Sequence, residues 1–224
     1  MTETHEIGAW ADTGHRVRRN KMVVGGAALL LMFAVATFIH PVLQATVWAD
    51  QQAVYRPETG HDPTMVHPSG PSARHLLGTD PLGRDVLSMV TYGLRPSFIV
   101  AVATAVGAGV IGLIVGISGA FFRGRWDWLT THVSDAFLLL PPPLIFLIAS
   151  KRGLMGPLEL GLLYGLFFGL GPAAIVVRSR ALAVMQKPYI EAARSVGGSP
   201  RWIMVHHLVP HVMSHVAVVV LAGV

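Results

Sequence analysis

The stretch PSFIVAVATAVGAGVIGLIVGISGAFF, residues 96–122, decides the fold: it runs for 27 residues without a charged side chain. A helix needs about 20 mainly apolar residues to cross the hydrocarbon core of a bilayer, and this run exceeds that. Four further runs share its character. Met22–Ile39 has 18 uncharged residues, Ala136–Ser150 has 15 and Leu160–Val177 has 18. Trp202–Val224 holds only histidines as titratable groups. The pattern predicts an all-α polytopic membrane protein with five helices, near 22–45, 97–121, 130–150, 157–177 and 207 onward.

Composition agrees. Of 224 residues, 52% are hydrophobic and 13% charged, with a mean hydropathy of +0.55. A soluble domain carries about 25% charge, so this chain cannot coat a water-facing surface. Disordered chains are charge-rich and apolar-poor, the opposite of this one. With no cysteine there is no disulfide scaffold, thiolate metal site or cysteine nucleophile. A net charge of +5 would indicate nucleic-acid binding only if it clustered on a polar domain. Here the charges are scattered between apolar runs, so nucleic acid is not an expected partner.

Basic residues set the expected orientation, because cytoplasmic loops carry the excess of Lys and Arg. With the N-terminus inside, segments 1–21, 122–132 and 178–206 hold 4 + 2 + 5 = 11 basic residues, against 6 outside. The division is then a cytoplasmic tail (1–21), a first membrane helix (22–45), an extracytoplasmic loop (46–95) and a membrane core (96–224), with a cytoplasmic loop at 178–210. The first apolar run is too long for a cleaved signal peptide and reads as a retained anchor. The last run reaches Val224 without a polar flank, as if the chain stopped inside a helix.

The outer loop carries Pro57, Pro63, Pro68 and Pro71, which predicts irregular backbone at its start. Small-residue stripes mark the helices. Gly112 and Gly116 are four apart, and Gly161, Gly165 and Gly169 follow at i, i+4 and i+8. Such faces let helix backbones approach closely. Pro141, Pro142 and Pro143 predict a kink or a helix end. In the inner loop, Pro188, Gly197, Gly198 and Pro200 divide the chain into short helices. Glu191 falls in the first turn of one, where a carboxylate suits the positive helix end. Ala192 and Ala193 leave a face that another surface can approach.

Several constellations weigh less. His207, His211 and His215 stand at i, i+4 and i+8, a spacing that can bind metal, but without a nearby carboxylate or cysteine. His61, His67 and His75 with Asp62 lie in the outer loop, where solvated histidines are the commoner finding. Ser118 in a glycine-rich helix is a candidate protease nucleophile with no histidine at matching depth. A secondary transporter or channel not driven by ATP needs polar groups near the midplane, and the five runs are nearly bare of them.

The string Tyr189-Ile-Glu191-Ala192-Ala193-Arg-Ser-Val-Gly197, followed by His207 and Pro210, resembles the EAA loop of bacterial ABC importer permeases. The ending His207-Leu-Val-Pro210 resembles the dipeptide/oligopeptide/nickel branch. His75-Leu-Leu-Gly78-Thr79-Asp80-Pro-Leu-Gly83-Arg84-Asp85, with Tyr92-Gly-Leu-Arg95 and Ser97 after it, resembles the signature ahead of the second helix in the C-type inner-membrane subunit. Asp127, Asp135 and Pro141 match a third signature. Met89, His132 and Ile175 stand where the family often has Arg, and His211 where it often has Asn.

The resemblance implies a type I ABC importer permease fold with a sixth helix that these 224 residues lack. It implies a non-catalytic subunit in the bacterial inner membrane that pairs with a second permease. One or two ATPase subunits would dock on the EAA loop and bind ATP and magnesium. A solute-binding protein would deliver the substrate from outside. Dipeptides and oligopeptides are the expected cargo, with glutathione, nickel chelates and haem carried by relatives. The chain has no Gly-x-x-x-x-Gly-Lys-Ser/Thr run, so it cannot cradle ATP phosphates by that loop.

Overall fold

In the computed structural model, the described residues are 21–151 and 155–213. Among them all regular structure is helical, with one isolated two-residue bridge, Thr79 to Asp85, and no strand. The chain divides into two units, Met1–Phe98 and Ile99–Val224.

The first unit opens with α1 (Lys21–Ala36) and α2 (Ile39–Ala45), which together give a 22-residue apolar segment from Val24 to Ala45. Its large side chains, such as Leu31, Val35 and Phe38, are exposed, as lipid contact requires. A short 3-10 turn (Ala49–Gln51) and irregular backbone follow. The next helix, α3 (Val86–Phe122), is 37 residues long and continues into the second unit. At 1.5 Å per residue it is about 55 Å long, well beyond an apolar core of about 30 Å. It begins eleven residues before the expected position 97. Asp85 explains the early start: its Oδ1 accepts the Ser88 backbone N–H at 2.6 Å, the geometry of an N-cap. Pro96 is carried inside the helix, where it removes one backbone donor.

The second unit adds α4 (Gly124–Leu139), α5 (Pro142–Lys151), α6 (Pro157–Phe168), a π-turn (Gly169–Ala173), α7 (Ala174–Met185), α8 (Pro188–Ser195) and α9 (Pro200–Ile203). A second π-turn (Met204–Leu208) leads into helix through residue 213. The triple proline ends α4. Leu140, before Pro141, is extended (φ −72°, ψ 128°), as a residue preceding proline prefers. Residues 124–139 and 142–148 meet there at a 67° bend. The span expected at 157–177 continues to Met185 through the π-turn, where Gly171 (φ −88°, ψ −105°) and Pro172 break regularity.

Among the described residues, three helical segments are long and apolar enough to cross a bilayer, or four if the bent α4–α5 pair is one span. Of the span expected from 207 onward, only 207–213 are described, and the expected tail 1–21 lies almost wholly outside the described residues.

Glycine faces bring α3 and the α6–α7 rod together. A methyl group at Gly161 would lie 2.6 Å from Ala103 Cβ, and one at Gly165 would lie 3.0 Å from Gly107 Cα. At Gly169 it would meet Ile111 Cβ at 2.7 Å, at Gly112 Ala173 Cβ at 2.7 Å, and at Gly116 the Val177 Cβ at 2.7 Å. Residue numbers rise together on both helices, so they run parallel. Thr104 Oγ1 adds a buried hydrogen bond across the seam to Gly161 O at 3.1 Å. Two parallel helices need a return path between them, and α4–α5 supplies it. Phe137 packs on Phe167 and Phe146 on Tyr164, so that pair runs antiparallel to α6.

Candidate functional site

The candidate coupling element is built at the end of α7. Lys187 is extended (ψ 141°), and Pro188 starts α8 at a position where its missing N–H costs nothing. Ile190 anchors the helix. It is fully buried in a cluster with Ala120, Val177, Ala181, Met185, Ile203, Leu208 and Val212. Arg194 holds the other end: its guanidinium lies 5.6 Å from the Phe121 ring at the end of α3. The remaining face is free. Glu191, Ala192 and Ser195 are exposed, Ala193 is half-buried, and Val196 is 89% exposed at the tip.

Gly197 makes the turn. The Gly198 N–H bonds Ala193 O at 3.0 Å and the Gly197 N–H bonds Arg194 O at 2.9 Å. This is the Schellman pattern, which places the residue after the cap in the left-handed region, and Gly197 has φ +87°. Ser199 then caps α9, its Oγ accepting the Trp202 N–H at 3.3 Å. Tyr189 lies against His207 and His211, with ring centroids 5.9 and 5.7 Å apart. Trp202 packs on His206 and His207. The loop residues singled out in the sequence therefore share one compact hairpin. Pro210 stands beyond it on the following helix. Burial pushes the Tyr189 phenol above its ordinary pKa.

The second candidate lies in the first unit, where the 75–85 signature is a tight loop. Gly78 (φ +78°) and Gly83 (φ +83°) take left-handed conformations. Asp80 Oδ1 accepts the Leu82 and Arg84 N–H groups at 2.9 and 2.8 Å, while Oδ2 takes Arg84 Nε at 2.7 Å. Thr79 Oγ1 accepts the Ser69 N–H at 3.0 Å. Asp85 has two roles: besides capping α3, its Oδ2 lies 2.8 Å from His75 Nδ1. The other ring nitrogen of His75 lies 3.2 Å from Asp62 Oδ2. Asp62, His75 and Asp85 are all buried, which corrects the expectation of solvated loop histidines for His75. Both ring nitrogens of the buried His75 face carboxylates at hydrogen-bond distance, so neither is open to an added ligand. Among the described residues no group of three or more His, Asp or Glu is placed to hold one, and His215 lies outside them.

Hydrogen bonds from the Thr64 side chain and backbone, then from His75, hold the Asp62 carboxyl well below the usual carboxylate range. A depressed carboxyl stabilises the fold above its unfolded value of about 3.9, and that contribution is lost as pH falls through the folded value. The loop is therefore expected to resist pepsin at pH 5 and to become susceptible only below about pH 4. Asp62→Ala strands the buried His75 edge and is expected to expose the loop at both pH values, at a cost of about 3 kcal/mol. Cleavage of wild type and variant at equal rates at pH 5 would contradict this.

Sequence reasoning passed over one contact in the second unit. Arg178 on α7 grips Asp127 on α4, Nε to Oδ1 at 2.5 Å and Nη2 to Oδ2 at 2.7 Å. A charge inside or at the end of an apolar helix is itself the signal for such a partner. Ser118 offers no nucleophile: its hydroxyl bonds Val115 O and accepts from Trp126 Nε1.

A family model for the binding-protein-dependent transport system inner membrane component matches residues 108–223. The chain is similar to the dipeptide transport system permease protein DppC of Alkalihalophilus pseudofirmus, with 26% identity over 95% of this chain and 66% of the relative. It is also similar to the glutathione transport system permease protein GsiD of Pectobacterium atrosepticum, with 28% identity over 93% of this chain and 66% of the relative. The chain thus spans just under two thirds of these relatives' length.

Proposed function

Because the chain belongs to the family of binding-protein-dependent transport system inner membrane components, we propose that it is one permease subunit of an ATP-driven importer of small peptides. It forms the pathway with a second permease. Its EAA hairpin receives the ATPase subunits, which bind ATP and magnesium, and a solute-binding protein delivers substrate. Relatives named for dipeptide and glutathione transport support a peptide cargo. The N-terminus and residues 178–206 face the cytoplasm in this reading, supported by the 11 to 6 split of basic residues. The fold is that of a type I permease, with five of six spans within these residues.

One observation carries the proposal. α8 presents a small Glu191-Ala192 face that is exposed, with Ala193 half-buried beside it, on a base fixed by Ile190 and Arg194. Alanine leaves the backbone open to close approach, and the buried anchor makes any displacement of the hairpin move α7 too.

The test is to co-express this chain with a second permease, an ATPase and a binding protein, and to measure peptide uptake into proteoliposomes. Uptake is expected to need both ATP and the binding protein. Uptake that persists without ATP would favour a secondary transporter or channel and overturn the proposal.

A further inference from the structure

Three features of the second unit converge on Arg178. The first is a hinge: the Gly169–Ala173 π-turn, with Gly171 outside helical geometry, separates α7 from α6. Single π-turns inside helices often mark functional bends. The second is a lever, since α7 is joined to α8 by only Gln186 and the extended Lys187 and shares its buried cluster through Val177, Ala181 and Met185. The third is a stripe on α4. Asp127, Thr131 and Asp135 stand at i, i+4 and i+8, one above another at intervals of about 6 Å.

Arg178 bonds only the first of these carboxylates, yet it lines a cavity of about 60 Å³ together with Thr130, Thr131, Ser134 and Asp135. That space holds a few water molecules, each needing roughly 10–15 Å³. Thr131 Oγ1 is buried there without a hydrogen-bond partner among the described residues. Asp135 is exposed at the far end of the stripe. A static brace needs Asp127 alone. A second carboxylate on the same face, with an unpaired hydroxyl between, supplies another place for the guanidinium.

We propose that Arg178 is a two-position latch between α7 and α4, paired with Asp127 in this conformation and handed past Thr131 to Asp135 when the lever swings. The proposal rests on the transporter reading and names the residues that would convert docking-helix movement into a change at the helix bundle. Bidentate pairing matters, because the fork of Arg re-forms two hydrogen bonds at either carboxylate.

The chain has no cysteine, so spin labels can be placed at Leu129→Cys on α4 and Ala183→Cys on α7. Distances between them are measured in the assembled complex, without nucleotide and with trapped ATP, and uptake is measured in parallel. Wild type is expected to shift its distance with ATP. Asp135→Asn is expected to assemble and keep the nucleotide-free distance, to lose the ATP-induced shift, and to lose roughly tenfold in uptake. Asp127→Asn is expected to populate the shifted distance without ATP. If Asp127→Asn fails to assemble, Asp135→Asn still decides. A wild-type shift and wild-type uptake in Asp135→Asn would overturn the latch alone. A wild-type complex with no ATP-driven uptake would overturn the transporter reading and the latch with it.

Discussion

Gly165→Leu is expected to prevent the α3–α6 pairing and to leave no monodisperse protein after detergent extraction. A Cβ at this position would lie 3.0 Å from both Gly107 Cα and Thr104 O, and 3.1 Å from Ala108 N. All three obstacles are backbone, so no rotamer change relieves them. Gly107 faces it reciprocally, its own Cβ position 3.2 Å from Gly165 Cα. The helices would have to separate along the whole seam, breaking the Thr104 to Gly161 hydrogen bond and uncovering Ala103, Ala108 and Ala173. Overpacking in a well-packed core typically costs 1–3 kcal/mol, and a backbone-on-backbone clash belongs at or above about 3 kcal/mol on that scale. Gly25→Leu is the control, since a Cβ there meets nothing within 4 Å. Elution in size-exclusion chromatography and thermal unfolding by tryptophan fluorescence read the difference. If Gly165→Leu elutes and melts as Gly25→Leu does, α3 and α6 do not pack through this seam.

The same seam shows what sequence discloses and what it withholds. The spacing of Gly161, Gly165 and Gly169 identifies a close-packing face, because small residues four apart share one side of a helix. Nothing in that spacing says which helix it meets or in which direction. Those facts depend on Gly107, Gly112 and Gly116, more than forty positions earlier in the chain. Helix ends divide likewise. Asp85 is a readable cap, but the charge-free rule starts α3 near 97 because it stops at the charge of Arg95. A helix longer than the bilayer is thick carries such residues beyond the apolar core. The end of α7 lies beyond the expected 177 for the same reason, Arg178 and Arg180 being helical residues rather than a loop.

Polar clusters were the least legible. Asp62, His75 and Asp85 come from a segment whose composition reads as solvated, and their burial follows from a loop held by Gly78 and Gly83. Asp127 and Arg178 are 51 positions apart and pair only because α4 returns antiparallel to the α6–α7 rod. The helix boundaries of the 188–203 hairpin are legible almost to the residue. Its signals are local: Pro at the first helical position, Gly after the cap, then Ser-Pro at the next helix start.

If the proposed coupling role holds, Gly197→Val is expected to abolish stimulated ATPase activity of the complex with the ATPase subunits while leaving the membrane helices in place. Space is not the obstacle, because a Cβ at Gly197 meets nothing within 4 Å. The obstacle is φ +87°, which a β-branched residue adopts only at a cost of about 1–3 kcal/mol. An eight-residue helix has little reserve against that. The Gly198 to Ala193 and Gly197 to Arg194 hydrogen bonds would open, and Val196 with the exposed Glu191-Ala192 face would lose its fixed direction. Gly197→Asn separates conformation from chemistry, since Asn tolerates the left-handed region better than other side chains. It is expected to retain much of the activity that the valine variant loses. Ala192→Trp acts differently: it leaves the turn intact and blocks approach by volume, so it should lower ATPase association in a pull-down more than Gly197→Asn does. Glu191→Gln should do least, a first-turn carboxylate contributing only about 0.3–1 kcal/mol. An ordinary solvated surface helix predicts that all four variants are silent. Wild-type stimulated ATPase activity and assembly in Gly197→Val would remove the hairpin from the coupling path.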